Sequence, residues 1–486
     1  MASRAARAGN VVRVGSAIAR CGLTICSLLA TLPAVAQDEI PLAIIGATLI
    51  HPEREPSAPT TPDAVIVVRG NRIVHAGPAA GTPVPQQAQV IDARGKWVVP
   101  GLIDSHVHFF QSGNLYARPD VADFTSWRPY AQEVARTAER MPVTFRTYLA
   151  SGVTGAVDTG GPRANFALRE RARATPEAPR LAVAGPLVST VARPQLDLGD
   201  PPIVRVRNPE EARALVERLL PAQPDYIKMW FIHEPGDDLA AQEAIARAVG
   251  SAAHAAGVRF AVHATELEVA KAALRAGADY LVHSVEDYEV DEEFITLARE
   301  RAVLYCPTLF VYDGYGLALS GRWQPTPAEK RLADPQILAG LRELDTIPLQ
   351  HIPSWVRNMM RHGSHIKSPP MAQSNLRKVL DAGIAIVVGS DAGNIGTLHG
   401  PGIFREMDMM QAAGMTPFEV LRAATVNGAR ALGMEHELGV VAPGRLADLV
   451  ILNRDPLEDV GNLSAVYRVI KDGRVYDPER LLESSR

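Results

Sequence analysis

The feature that most constrains the fold is a rhythm of short apolar segments, each followed by a loop and a helix-like stretch, between residues 100 and 389. Eight segments have strand character: Leu102 to His106, Thr154 to Val157, Leu181 to Ala184, Tyr226 to Trp230, Arg259 to Ala264, Tyr280 to Val285, Val303 to Pro307 and Ala385 to Gly389. Strands that alternate with helices pair in parallel through helical crossovers, and eight such units are the number that closes a barrel. Helix starts between them are marked. Asn208-Pro209-Glu210-Glu211 offers a cap, a proline at the first helical position and acids at the positive dipole end. Thr265-x-x-Glu268 and Thr416-x-x-Glu419 both fit a capping box. A doubly wound sheet is the competing architecture, but no glycine-rich nucleotide loop follows the first strand.

The ends of the chain read differently. Ala43 to Ile50, Ala64 to Val68 and Arg72 to Ala76 are β-rich, with a tight-turn signal at Gly70-Asn71. Beyond Gly439, β character returns in Leu446 to Leu452, Tyr467 to Ile470 and Val475. The expected fold is therefore α/β: a (β/α)8 TIM-like barrel over residues 99–437, with a small β-sandwich built from 37–98 and 438–486. About 75 residues separate the last two barrel strands, too many for a simple connection. The part from 311 to 370, with Tyr312, Tyr315, Trp323, His351, Trp355, His362 and His365, is either a lid over the site or an extra helical layer.

Residues 1–36 form a targeting signal. Arg4, Arg7, Arg13 and Arg20 precede an uncharged stretch through Leu28, Leu29 and Leu32, which closes on Ala34-Val35-Ala36. The apolar run is too short to span a bilayer and is broken by Pro33. These features predict export to the periplasm or beyond, with no stable membrane anchor after cleavage. Lys+Arg 50 against Asp+Glu 54 gives a formal charge of −4, with no basic run to hold a nucleic acid. Of three cysteines, two leave with the signal, so Cys306 remains and no internal disulfide can form. Thiolate metal centres are excluded, whereas 13 histidines favour imidazole ligands. The expected partner is a small-molecule substrate, and a homo-oligomer is compatible with this composition.

His106 and His108, two apart at the end of the first barrel strand, leave on one face. That end of a barrel carries the chemistry. Their frame, Val99-Pro100-Gly101-Leu102-Ile103-Asp104-Ser105-His106-Val107-His108, resembles the amidohydrolase superfamily, as do Ala423-Ala424-Thr425-x-Asn427 and Gly444-Arg445-Leu446-Ala447-Asp448. Within it the chain looks most like the imidazolonepropionase-related and prolidase-like branch. Lys228 interrupts an apolar strand, where a bare ammonium is costly. The resemblance implies that it becomes a carboxylated lysine bridging two divalent metals. It further implies that His106, His108 and Asp391 hold one ion and His263 and His283 the other. Imidazole and carboxylate donors without thiol favour zinc. Two such cations would share one acidified water as a hydroxide, with Asp391 as the general base and acid.

The expected reaction is hydrolysis of an amide bond, with dipeptides or N-acyl amino acids as first substrates. Weaker substrate-binding candidates are His233, His399 and Arg193, the last for pairing a carboxylate. Cys306 reads as core. Two rival activities share the residues. His263-x-x-Glu266 fits a one-metal deaminase, against which Lys228 stands. A lactonase or phosphotriesterase would use the same two-metal set. A non-enzymatic barrel is disfavoured because all six ligand positions are filled.

Overall fold

The structure, a computed structural model, describes residues 40–483, so the targeting signal read in residues 1–36 lies outside the described residues. Among the described residues no helix is long and apolar enough to cross a membrane. Strands from both ends share one sheet. Leu42–Ile50 pairs antiparallel with Thr60–Arg69, which turns through Gly70 (φ 55°) into Arg72–Pro78. Leu42–Ile50 also pairs in parallel with Gln89–Asp92 along one half and with Trp97–Pro100 along the other. Leu449–Leu452 adds to Trp97–Pro100, followed by Val466–Lys471 and Arg474–Tyr476. The expected sandwich is thus one eight-stranded sheet in its pairing, because Leu42–Ile50 changes partner along its length. Leu42, Ile44, Leu49, Ile66, Ile451 and Ile470 fill its core.

The eight parallel strands are β1 (Leu102–Val107), β2 (Val153–Asp158), β3 (Arg180–Val183), β4 (Tyr226–Trp230), β5 (Arg259–His263), β6 (Tyr280–Val282), β7 (Leu304–Cys306) and β8 (Ala385–Ile386). They pair as a three-stranded sheet, β1 to β3, and a seven-stranded sheet that runs from β4 to β8. Two short strands absent from the sequence reading, Leu187–Ser189 and Ile203–Arg205, complete the larger sheet. The ladders therefore do not form one continuous eight-stranded ring. A few hydrogen bonds cross the gaps: Asp225 N–H to the Val183 carbonyl (3.0 Å) and Val183 N–H to the Asp225 carboxylate (2.8 Å) on one side, and Ser105 N–H to the Val388 carbonyl, Asp391 N–H to the His106 carbonyl and His108 N–H to the Ala392 carbonyl (2.8 Å each) on the other.

Successive residues along these strands enter two different cores. Tyr226, Ala261, Tyr280, Val282, Leu304 and Cys306 pack together on one face. Their neighbours Ile227, Phe260, Val262, Leu281 and Tyr305 pack with helix residues such as Leu215 and Val249 on the other. Both faces being buried explains why the strands read as continuous apolar runs.

Two of the three expected caps form. Asn208 accepts from Glu211 N–H (2.8 Å), and Thr416 and Glu419 make a capping box. The box expected at Thr265 does not. Its helix, Leu267–Arg275, begins one residue later with Glu266 at the cap position, and the Asp287 carboxylate from a neighbouring loop takes the Leu267 N–H (2.9 Å). The long segment before β8 is helical, with helices at Phe310–Leu319, Pro327–Leu332, Pro335–Gly340, Ser354–His362 and Pro370–Asp381. Leu319, Trp323, Leu344 and Met359 form a separate core there with Leu115 and Phe124. It is an extra packed layer that also reaches the site.

Candidate metal centre

Strand alternation delivers most of the cluster. On β4, Lys228 follows Tyr226 by two and shares its inward face; on β5, His263 follows Ala261 in the same way. His283 needs a different device. By alternation it would follow Leu281 outward, but the strand ends at Val282 and His283 takes a left-handed backbone (φ 73°) that turns its ring inward. Asp391 is likewise left-handed (φ 56°). Such backbone is uncommon for side-chain-bearing residues and clusters where function demands it. On β1 the pairing with β2 is irregular between Asp104 and Val107, a bulge-like break of the kind that re-aims side chains beside active sites.

The result is a crowd of acceptors. His106 and His108 bring their Nε2 atoms within 3.3 Å of each other. The Asp391 Oδ1 lies 3.4 Å from the first and 3.2 Å from the second. The His283 ring is centred 5.0 Å from His106 and 4.4 Å from His263. His106, His283 and Asp391 offer ligand atoms that all lie within 4.8 Å of one another. The Gly160 carbonyl, 2.7 Å from His108 Nδ1, can only accept, so Nδ1 carries the hydrogen and Nε2 presents a bare lone pair. His283 Nδ1 is held by Thr308 Oγ1 at 2.5 Å.

Burial, then the nearby Lys228, pushes the His106 and His263 pKa values well below the ordinary range. For His283 burial and His263 act in the same direction. These rings are neutral. Burial alone would raise Asp391, but its neighbours, the Arg118 guanidinium among them, outweigh this and lower it. Burial brings Lys228 down to about 7, against the pull of Asp391. Its Nζ, 2% exposed, has no hydrogen-bond partner, and neither has His106 Nδ1. Neutral imidazoles, a carboxylate and an unpartnered buried amine, all converging, form a donor set of the kind that binds divalent cations. The residues fit a metal centre.

The cluster is braced from behind. Asp104, fully buried, accepts from Ser390 Oγ (2.6 Å) and Ser390 N–H (2.9 Å), fixing the turn that carries Asp391. Burial raises Asp104 to about 7, partly offset by those bonds. In front of the cluster lies a cavity of about 300 Å³. Its walls are largely apolar, with Val121, Leu187, Trp230, Val311 and Ile366 among them, and beyond the cluster itself Gln111, Arg118, Tyr312, Tyr315 and Asn394 supply polar groups.

The amidohydrolase family pattern matches residues 97–476. The chain belongs to the amidohydrolase family. An imidazolonepropionase from Symbiobacterium thermophilum is 26% identical over 451 residues, covering 87% of this chain and 92% of the relative. Another, from Rhizobium meliloti, is 37% identical over 114 residues, which is 22% of this chain and only 26% of that protein. Among solved structures, a Xaa-Pro dipeptidase with methionine bound in its active site superposes with a TM-score of 0.66 at 25% identity, covering 90% of this chain and 100% of that one. With these relatives the chain is a hydrolase acting on carbon–nitrogen bonds, in a family that generally uses metal ions.

Not every residue singled out in the sequence reaches the cavity of this amidohydrolase. His106, His108, Lys228, His263, His283 and Asp391 all line it. The three substrate-binding candidates do not. His399 stacks on Phe109 (5.2 Å) with both ring nitrogens occupied, by Tyr148 OH (2.9 Å) and the Gln111 carbonyl (2.8 Å). His233 bonds Gln242 Oε1 (2.8 Å) in its own loop. Arg193 lies over the Trp230 ring (4.9 Å) with Asp120 at 3.9 Å, behind the wall. Glu266 of the deaminase motif is at a helix start and is also absent from the lining. Sequence reading missed Arg118 and Asn394, and it named Tyr312 and Tyr315 only as part of a segment that could cover the site. Only Asn394, three residues after Asp391, carried a local signal, that of a side chain able to reach back across its own turn.

Proposed function

We propose that this amidohydrolase cleaves the amide bond of N-acyl amino acids or dipeptides that carry a free carboxylate. The observation that carries this reading is Arg118, a guanidinium in an otherwise mostly apolar cavity. Among its five N–H groups, Nε and Nη2 bind Asp120, and Nη1 binds Asn394 and Tyr315. One Nη2 N–H is left for a substrate anion. The apolar walls suit an uncharged side chain, and 300 Å³ suits a small molecule.

The residues support two divalent cations, zinc first on donor chemistry. His106, His108 and Asp391 would hold one, and His263 and His283 the other. Lys228 would bridge them after its neutral amine adds carbon dioxide and loses a proton. When bound, the cations would acidify the attacking water and polarise the scissile carbonyl. Asp391 takes the water's proton and delivers it to the leaving nitrogen. The Gly160 carbonyl fixes the tautomer of His108, Thr308 holds the His283 ring in place, and the apolar walls exclude bulk water. The gap-spanning hydrogen bonds and the two-faced burial support one closed eight-stranded barrel, with the terminal sheet as a smaller domain. The order of basic, apolar and small residues in 1–36 supports export.

The test is hydrolysis of N-acetyl-leucine, N-acetyl-leucinamide, simple lactones and aryl phosphotriesters by metal-loaded protein. The free acid should be preferred over the carboxamide by about 10- to 100-fold in kcat/KM, the worth of one charged hydrogen bond. Faster turnover of lactones or phosphotriesters than of either amide overturns the reading.

A further inference from the structure

The cavity wall and the catalytic carboxylate are joined by an unbroken set of hydrogen bonds. Asn394 Oδ1 accepts from Arg118 Nη1 at 2.6 Å and from Tyr315 OH at 2.7 Å. Asn394 Nδ2 donates to Asp391 Oδ1 at 2.7 Å and to the Asp391 carbonyl at 3.2 Å. Both ends of the amide are chemically determined. A guanidinium can only donate, so the end facing Arg118 is the oxygen. An ionised carboxylate can only accept, so the end facing Asp391 is the amine. Flipping the amide would set donor against donor at one end and acceptor against acceptor at the other. Arg118 itself is fixed by two bonds to Asp120, at 2.8 and 2.7 Å, whose side chain is only 1% exposed.

Asp391 needs such a hold. It lies beyond the end of β8, in left-handed backbone; bonds from Asp391 N–H to the His106 carbonyl and from His108 N–H to the Ala392 carbonyl (both 2.8 Å) tie its main chain to β1 but do not fix its side-chain torsions. Asp104 secures the preceding residue, not the Asp391 carboxylate. The hydrogen on Asn394 Nδ2 aims Oδ1 toward the His106 and His108 rings and thereby sets where the second oxygen points.

We propose that Asn394 is the positioning residue for Asp391, with its amide keyed by Arg118 and Tyr315, so that the anion-binding wall and the catalytic carboxylate act as one unit. The proposal rests on the assignment of Asp391 as the proton carrier. It separates two roles for Arg118. An arginine that only anchors a carboxylate matters solely for substrates that have one. An arginine that also keys Asn394 matters for every substrate.

The experiment is a double-mutant cycle of Asn394→Ala and Arg118→Met, read on N-acetyl-leucine, N-acetyl-leucinamide and a lactone, with the metal content of each protein measured. Asn394→Ala should lower kcat about 100-fold, the effect of misplacing a catalytic group by about 1 Å, with KM little changed. Arg118→Met should lower kcat even on N-acetyl-leucinamide, and the double variant should be scarcely worse there than Asn394→Ala alone. Metal content should be retained, because five further ligands remain. Asn394→Asp, which keeps the shape and the Arg118 and Tyr315 contacts but loses the donor to Asp391, should reproduce the kcat loss if the alanine variant folds poorly. Unchanged kcat in the Asn394 variants, additive effects on the carboxamide, or activity lost in step with metal would overturn the proposal. If the wild type turns over only the lactone, the amide reading fails, while the cycle on the lactone still decides the role of Asn394.

Discussion

Replacing Lys228 with methionine should stabilise the metal-free protein while destroying the metal-dependent one. Lys228 is 2% exposed and its Nζ has no partner, so without metals it is a buried cation with nothing to pay it back. Burial lowers its pKa from 10.5 to about 7. At 1.36 kcal/mol for each tenfold change in proton affinity, keeping the charge in the fold costs about 5 kcal/mol relative to the unfolded chain. Between pH 7 and 10.5 the unfolded chain binds the proton that the fold has released, so stability rises with pH across that window; below pH 7 the whole penalty is present. Methionine has similar length and no charge. In urea unfolding of chelator-treated protein, Lys228→Met should exceed the wild type by up to about 5 kcal/mol at pH 6, narrowing to about 1 kcal/mol at pH 10. With metals restored the order should invert, and hydrolysis by the variant should be lost. A variant no more stable at pH 6, or a gap that does not narrow with pH, would refute the reasoning.

Chelator treatment should abolish hydrolysis and lower the melting temperature, and added zinc should restore both; activity that survives complete metal removal would contradict the centre. Gly389→Ala should cost about 1–3 kcal/mol and disrupt metal loading. An added Cβ would lie 2.6 Å from His106 Cβ and 2.9 Å from its backbone nitrogen, with Cys306 Sγ closer still; normal metal content and stability would count against this packing. Glu406, fully buried, accepts from Leu309 and Phe310 N–H (2.8 and 2.9 Å) at the start of the helix that carries Val311, Tyr312 and Tyr315. Burial raises it to about 8 despite those bonds. A folded value above the ordinary 4.5 means stability is lost as pH climbs from about 5 to 8, so Glu406→Gln should flatten that decline in thermal melts. An unchanged slope would show that Glu406 does not titrate there.

The legible part of this protein is the part set by strands. Apolar runs located eight of the ten parallel strands because both of their faces are buried, and a histidine or lysine inside such a run is conspicuous. The same period-2 logic fails at His283, which alternation alone sends to the wrong face; only its left-handed turn brings it in, and residue order does not reveal a φ angle. Loop residues are harder still to read, as His399 shows. Eight residues after Asp391 it resembled a substrate contact, yet both its nitrogens are bonded in a packed layer against Phe109 and Tyr148. Arg118 and Asn394 meet across 276 residues, and no periodicity connects them.

This division bears on how one centre serves different substrates. The six clustered groups stand on or just beyond strand ends, where hydrogen-bond register and buried faces hold each backbone on two sides. Changing a loop leaves that register alone. The cavity wall has another origin: Arg118 comes from the loop after His108, Val311, Tyr312 and Tyr315 from a helix of the long segment before β8, and Ile366 from a later turn of it. That segment packs on its own core of Leu319, Trp323, Leu344 and Met359. The part of it that packs there can therefore change with little effect on the strands, which is how one fold can come to act on different substrates. Asn394 is the exception to that independence. It stands three residues from Asp391 yet takes its orientation from Arg118 and Tyr315, so a new wall that moves either residue also moves the Asp391 carboxylate. Substrate change by loop replacement should then succeed where the Arg118–Asn394–Tyr315 contact is kept, and should cost turnover of every substrate where it is broken.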